Sequence, residues 1–280
     1  MKTYLKVKDY SVSGEEFYLL HNEKYDMLET FPKPSNKKLP EYYNSDDYIS
    51  HSDSSRNLFE KAYHFIRSIS LKRKVSLINS CVIKEKHLLD VGCGTGDFLE
   101  LAKQKGWTIT GIEPNPKARE IANLKTDGLV FDAGDLLNFK NHSFDVITLW
   151  HVLEHLPELE KQISIFKSLL KHDGTLVVAV PNYNSYDAKY YKVFWAAYDV
   201  PRHLWHFSKM SISNLFAKQK MRIKSIEPLK FDAFYVSLLS EKYKSGWMNV
   251  FNAMRVGLFS NIKAKKSGEY SSLIYIIKNT

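Results

Sequence analysis

From Lys86 onward the apolar positions follow two rhythms, short continuous runs and longer stretches with an apolar residue every three or four places. The runs predict strands at Leu88–Val91, Thr108–Glu113, Leu129–Phe131, Phe144–Leu149, Thr175–Val180, Arg222–Pro228 and Ser272–Ile277. The second, fourth and fifth are rich in Val, Ile and Leu, as strands covered on both faces require. The longer stretches predict helices at Phe98–Lys105, Pro116–Leu124, Leu159–Leu170 and Ser211–Lys220. In the third, Ile163, Phe166, Leu169 and Leu170 form a stripe suited to one face of a sheet. Strand and helix in alternation imply an α/β fold wound around a mostly parallel sheet.

Three regions stand outside that alternation. Residues 1–54 read as an amino-terminal extension, with a hairpin of Phe17–Leu20 and Asp26–Glu29 around His21-Asn-Glu-Lys, then a Pro- and Tyr-containing stretch from Phe31 to Tyr48. Residues 55–80 form a helical run with Leu58, Tyr63, Phe65, Ile66, Ile69, Val75 and Ile78 among basic residues, expected to pack over the sheet. Residues 231–268 place two amphipathic, Lys-rich helical stretches between the last two strands. The domain proper therefore runs over 55–280, with 231–268 as an insertion. There is no internal repeat and no low-complexity tract.

Composition narrows the class without naming it. Over 280 residues, 44% hydrophobic and 25% charged describe an ordinary globular chain rather than a disordered or disulfide-dense one. The longest apolar runs, Leu176–Pro181 and Leu273–Ile277, are far shorter than a bilayer-spanning helix. No secretory signal is legible in the first residues, and two cysteines, Cys81 and Cys93, fit a reducing compartment. The expectation is a cytoplasmic protein. The net charge of +9 is clustered: the last forty residues hold seven Lys and Arg against two acids. Beside those lysines stand Phe234, Trp247, Phe251 and Phe259, a character suited to an anionic membrane surface or to a solvated face over ordinary packing.

Chemistry enters at Leu88-Leu-Asp90-Val-Gly92-Cys93-Gly94-Thr95-Gly96-Asp97-Phe98, where a strand ends and a helix opens. The glycines let a ligand approach the backbone. Acids on both sides of the turn, Asp90 and Asp97, suit a cationic ligand better than a phosphate. S-adenosyl-L-methionine carries a sulfonium and an ammonium, and its carboxylate can meet amides of the turn. Glu113, with Pro114 after the second strand, is placed to accept two ribose hydroxyls. Asp135 follows the third strand, placed to accept from an adenine amine while Leu136 packs on the ring.

With these residues the chain resembles the class I S-adenosylmethionine-dependent methyltransferases, over about residues 55–230 and again at the last strand. The matching segments are Asp90–Asp97, Gly111–Asn115, Gly134–Leu136 and Phe144–Trp150. Val152-Leu-Glu154-His155 is similar to the bacterial group related to the ubiquinone-biosynthesis O-methyltransferases. The resemblance implies a Rossmann-like, doubly wound seven-stranded sheet in the order 3-2-1-4-5-7-6, its last strand antiparallel. It also implies Trp150 beside the cofactor and the transferred methyl near the end of the fourth strand.

That strand is followed by His151-Val-Leu-Glu154-His155-Leu-Pro157. Three readings stay open. A neutral His151 or His155 can act as base, since an imidazole titrates near neutrality. The H-x-x-E-H spacing can hold a metal, as in metal-assisted methyltransferases that carry E-x-x-E-H here. Or the histidine and acid only brace the loop, the transfer being driven by positioning. A protease is excluded, because a strand precedes the motif and Pro157 closes it. No metal ligand set is assigned.

Residues 182–207 contain nine aromatics, well above the chain-wide 14%, and are expected to form a lid or binding wall. They end in Asp199-Val-Pro-Arg202-His203-Leu-Trp-His206-Phe207, in which His203 is a candidate base and Arg202 either holds an anionic group or pairs with Asp199. The expected activity is methyl transfer to an oxygen on a small-molecule, lipid-linked or glycan acceptor, with peripheral membrane contact through 231–268. The alternatives are a metal-assisted RNA 2′-O-methyltransferase and a non-catalytic cofactor-binding scaffold. Nucleic acid is not the expected partner, and the oligomeric state is left open.

Overall fold

The structure is a computed structural model and describes residues 2–35, 38–43, 58–82 and 85–280. The end of the Pro- and Tyr-containing stretch, the start of the helical run and the side chains of Leu58 and Tyr63 lie outside the described residues.

The chain opens with three antiparallel strands, β1 (Lys2–Lys8), β2 (Glu16–Asn22) and β3 (Met27–Phe31). The expected hairpin is β2–β3; β1, whose polar residues hide its pattern, was not anticipated. Helix α1 (Leu58–Asn79) leads into β4 (His87–Val91), α2 (Asp97–Gln104), β5 (Thr108–Ile112), α3 (Pro116–Thr126), the two-residue β6 (Val130–Phe131), β7 (Phe144–Trp150), α4 (Leu159–Leu169) and β8 (Leu170–Pro181). Then come α5 (Tyr186–Tyr191), β9 (Trp205–His206), α6 (Lys209–Lys218), β10 (Met221–Pro228), α7 (Asp232–Ser245), α8 (Val250–Ser267) and β11 (Ser272–Asn279). Helix α6 starts earlier than its apolar pattern suggests because Ser208 caps it. The Ser211 amide donates to Ser208 Oγ at 3.0 Å and the Ser208 amide to Ser211 Oγ at 2.7 Å.

The central sheet runs β6-β5-β4-β7-β8-β11-β10. Counted among its own seven strands this is 3-2-1-4-5-7-6, the implied order. β11 is antiparallel to both neighbours, pairing Ser272 with Pro181 and Leu273 with Pro228. Side-chain alternation divides the core between the two faces of the sheet. Leu89, Leu176, Val178 and Val180 pack on the α4 side with Ile163 and Phe166, whereas Leu88, Val177 and Ala179 pack on the other with Ile78, Phe98 and Leu99.

A third core corrects the expectation of an aromatic binding wall. Tyr191, Trp195 and Tyr198 are buried among Phe17, Leu19 and Leu28 of the amino-terminal strands and Val236 and Val256 of the inserted helices. β9 adds to the amino-terminal sheet, pairing Leu28 with His206 and Glu29 with Trp205. The density of aromatics therefore serves packing between layers. Buried Asp187 ties the layers by accepting from Trp195 Nε1 at 2.8 Å, Ser260 Oγ at 2.6 Å and Ser271 Oγ at 2.7 Å.

Candidate active site

Parallel strands direct their carboxyl ends to one edge of the sheet, and here the winding reverses between β4 and β7. Open α/β sheets bind ligands in the crevice at that reversal. The turn after β4 and the turn after β7 form its two walls.

On the β4 wall, Gly92 and Gly94 have φ of +69° and +57°. A Cβ on Gly92 would lie 2.5 Å from Val152 of the opposite wall, while one on Gly94 would face open space. Backbone is thus presented bare at Gly94, next to the Thr95-Gly96 entry into α2. Glu113 closes the turn: its carboxylate accepts from the Gly94 amide at 2.8 Å and the Asn115 amide at 2.9 Å. Burial raises the Glu113 pKa, and those two amides oppose the rise. Pro114 beside it is exposed.

Asp90 is 2% exposed and accepts from Thr148 Oγ1 at 2.6 Å. Burial pushes its carboxyl up to about 7, against the pull of Thr148 and the Lys74 ammonium. Lys74 reaches the same place from α1, its Nζ 4.5 Å from the centre of the Trp150 ring. Burial holds its pKa low, against the attraction of Asp90 and Asp232. Trp150 stands edge-on to buried Phe98, centroids 5.6 Å apart, and its Nε1 is buried without a hydrogen-bond partner. Asp97 is held by Arg67 and by Lys125 at 2.7 Å, and Thr95 Oγ1 donates to it at 3.1 Å. Burial pushes the Cys93 thiol up, and Asp90 and Glu113 push it further, so it stays protonated. On the turn after β6, Asp135 accepts from the Asp132 amide and from Asn138 Nδ2, both at 3.2 Å, while Leu136 is buried in the core.

On the β7 wall, His151 has φ of +57°, a left-handed conformation that costs a side-chain-bearing residue on the order of 1–2 kcal/mol. Its Nε2 lies 3.0 Å from Asp232 Oδ2, on the first residue of α7, and its Nδ1 3.5 Å from Glu154 Oε1. Burial opposes the charge, but the two carboxylates outweigh it and push the pKa up to about 10. His151 is therefore an imidazolium at neutral pH. This corrects the expectation of a neutral base: both ring nitrogens carry protons directed at carboxylates.

Glu154 is 1% exposed, and neither of its oxygens has a hydrogen bond. Its pKa is nevertheless lowered, because His151 and His203 outweigh its burial. His203 donates Nδ1–H to the Ala197 carbonyl at 2.9 Å, which turns its Nε2 toward Glu154 at 4.0 Å and Asp199 at 3.9 Å. The His155 ring stands edge-on to His203 at 4.6 Å, with Nδ1 3.0 Å from the Tyr43 hydroxyl and 3.1 Å from the Arg202 carbonyl. Burial and the neighbouring His203 push His155 down to about 4, so it is neutral. Among the described residues, Glu154, His155 and His203 bring one donor atom each within 4.8 Å of one another, a set able to hold a metal ion.

Arg202 is not available to a ligand. Its guanidinium lies 2.7 Å from Asp199 and 3.2 Å from Asp9, and Nη1 donates to the Tyr42 carbonyl at 2.9 Å. Of the two readings of this residue, internal pairing holds, with Asp9 as an unforeseen second acid. Lys74, Thr148 and Asp232 were also missed. Lys74 and Asp232 come from elements remote in sequence, and Thr148, though on β7, is 58 residues from the Asp90 it bonds, so no spacing rule pairs them.

The family described as "Methyltransferase domain" matches residues 56–222. Among curated proteins, the chain is 28% identical over 144 residues to the ubiquinone biosynthesis O-methyltransferase of Coxiella burnetii, covering 49% of this chain and 60% of that protein. The chain thus spans about 60% of the length of that relative. A SAM-dependent methyltransferase from Archaeoglobus fulgidus superposes with a TM-score of 0.54 at 23% identity, over 79% of this chain and 98% of that one. Magnesium protoporphyrin IX methyltransferase from Synechocystis PCC 6803, solved with bound SAH, gives 0.57 at 15% identity, over 88% and 100%. At these identities the two structures speak for the fold.

Proposed function

The chain belongs to the methyltransferase-domain family, and we propose that it transfers the methyl group of S-adenosylmethionine to an oxygen on a small-molecule, lipid-linked or glycan acceptor. The observation that supports this reading best is the crevice itself, with buried acids on one wall and a strained, doubly clamped His151 on the other. The residues fit the cofactor. Asp90, held near neutrality by burial, gains from a nearby cation, and the bare backbone at Gly94 leaves room for a ligand. Glu113, preset by two amides, would take the ribose hydroxyls, with Asp135 and Leu136 toward the adenine and Thr95, Gly96 and Trp150 along the remainder. Bound there, the cofactor supplies a methyl group made electrophilic by its sulfonium.

His151 acts in this scheme as a fixed positive charge beside the acceptor, since both of its N–H groups face Asp232 and Glu154. That cation would favour the ionised form of an acidic acceptor hydroxyl, whose proton leaves to solvent, and would hold the oxyanion in line with the methyl carbon, the sulfur keeping the electron pair of the bond that breaks. Glu154 faces the imidazolium at 3.5 Å and offsets its charge, with His203 Nε2 4.0 Å beyond it. The name of the curated relative, an O-methyltransferase, supports oxygen over nitrogen or carbon as the accepting atom.

The test is release of S-adenosylhomocysteine from S-adenosylmethionine across a panel of phenolic, sugar and lipid-linked hydroxyl acceptors. Release with at least one of them is expected; none with any acceptor favours a non-catalytic scaffold. His151→Gln should keep cofactor affinity by calorimetry and lose roughly 10²-fold in turnover. Full activity in that variant removes the charge role. A metal-assisted transfer is the second reading, favoured by the two oxygens of Glu154 that lack hydrogen bonds beside His155 and His203. Activity that survives a chelator eliminates it.

A further inference from the structure

Helix α8 is built inside out. Its buried positions are small, Ala253, Val256, Gly257, Ser260 and Ala264, and a Cβ on Gly257 would lie 2.6 Å from Phe234 of α7. The two inserted helices therefore pack close through small residues. The large apolar side chains of α8, Phe251, Met254, Leu258, Phe259 and Ile262, recur at three-to-four spacing on the opposite, solvent-facing stripe. Phe251 is 91% exposed, and Trp247 on the preceding turn is 61% exposed. A contiguous apolar stripe of this kind is unusual on a protein surface that meets only water.

Charge selects what meets it. Residues 242–268 contain Lys242, Lys244, Arg255, Lys263, Lys265 and Lys266 and no acid. The Nζ of Lys263 lies 3.9 Å from the centre of the Tyr186 ring, and Arg255 donates to Asn252 and to the Tyr190 hydroxyl. Two copies of such a face would repel each other, and RNA would leave the apolar stripe in water. An aromatic and aliphatic ridge flanked by cations matches an anionic bilayer, with rings at the acyl boundary and ammonium groups among headgroups. No helix among the described residues is long and apolar enough to cross a membrane, so contact here is with a surface.

We propose that α8 and the turn before it dock the protein on an anionic lipid bilayer. The docked helices lead straight to the reaction crevice, because Asp232 at the start of α7 holds His151. The inference does not depend on which acceptor is methylated.

The experiment is co-sedimentation of the full chain with vesicles of phosphatidylcholine alone and of phosphatidylcholine mixed with phosphatidylglycerol, at low and high salt. At least about tenfold stronger binding to the mixed vesicles is expected, weakened by salt. Phe251→Glu with Leu258→Glu, and separately Lys265→Glu with Lys266→Glu, should each abolish it while thermal melting and S-adenosylhomocysteine affinity stay unchanged. As a readout that needs neither variant, brominated lipid should quench fluorescence of the parent protein and quench Trp247→Phe less. Any of four outcomes overturns the proposal: no vesicle binding, equal binding to both lipids, a dimer that Phe251→Glu with Leu258→Glu dissociates, or RNA binding through this face without vesicle binding.

Discussion

Asp90 shows how a single residue can trade stability for ligand recognition. Its carboxyl is buried with Thr148 as its hydrogen-bond donor, and its pKa of about 7 lies well above the ordinary carboxylate value near 3.8. The folded protein holds a proton there that the unfolded chain releases at lower pH, so ionised Asp90 destabilises the fold as pH rises from about 4 through 7. Asp90→Asn should therefore be more stable than the parent above pH 7, on the order of 4 kcal/mol before repacking is considered, with the difference vanishing below pH 4. Denaturant titrations across that range check it. The same variant should lose cofactor binding by calorimetry, and parental affinity should fall as pH drops below 7, when the carboxylate that favours a cation is protonated. Unaltered affinity in Asp90→Asn would remove Asp90 from the site. The acid was legible in the sequence through its strand-to-turn position, whereas its raised pKa was not, since burial belongs to the folded state.

At the scale of elements, the segment 182–207 joins the amino-terminal strands to the reaction wall. Arg202 is the latch, with a 5% exposed side chain between Asp9, in the turn after β1, and Asp199 of its own segment, while Leu204 donates its amide to the Glu154 carbonyl at 2.8 Å. Removing one partner of a buried ion pair leaves the others uncompensated and costs about 3–5 kcal/mol. Arg202→Met should destabilise the protein by that amount in urea unfolding; a change below about 1 kcal/mol would show that the latch carries no load. Composition revealed the aromatic density of this segment but misassigned it. Nine aromatics in twenty-six residues can line a ligand or fill a core, and the choice depends on the amino-terminal strands that close over them.

Across the whole molecule, His151 connects the inserted helices to the central sheet through Asp232 and Glu154. A histidine with its pKa raised from 6.5 to about 10 contributes stability that is complete below pH 6.5 and is lost as pH rises through 10. The parent should thus exceed His151→Gln in melting temperature at pH 6 and lose that advantage by pH 11, with α7 gaining hydrogen exchange over the same range. A constant difference between the two proteins would show that the clamp is not ionic. The α/β alternation and the glycine-rich turn with its three following acids were determined by local pattern, because periodicity and turn chemistry act between near neighbours in the chain, whereas the sheet order followed only from the family resemblance those residues carry. Only the tertiary structure decided which charges face one another. Lys74, Asp232 and Asp9 come from separate elements, and whether His151 is a base or a clamped cation depends on burial and on partners that packing alone brings within hydrogen-bond reach.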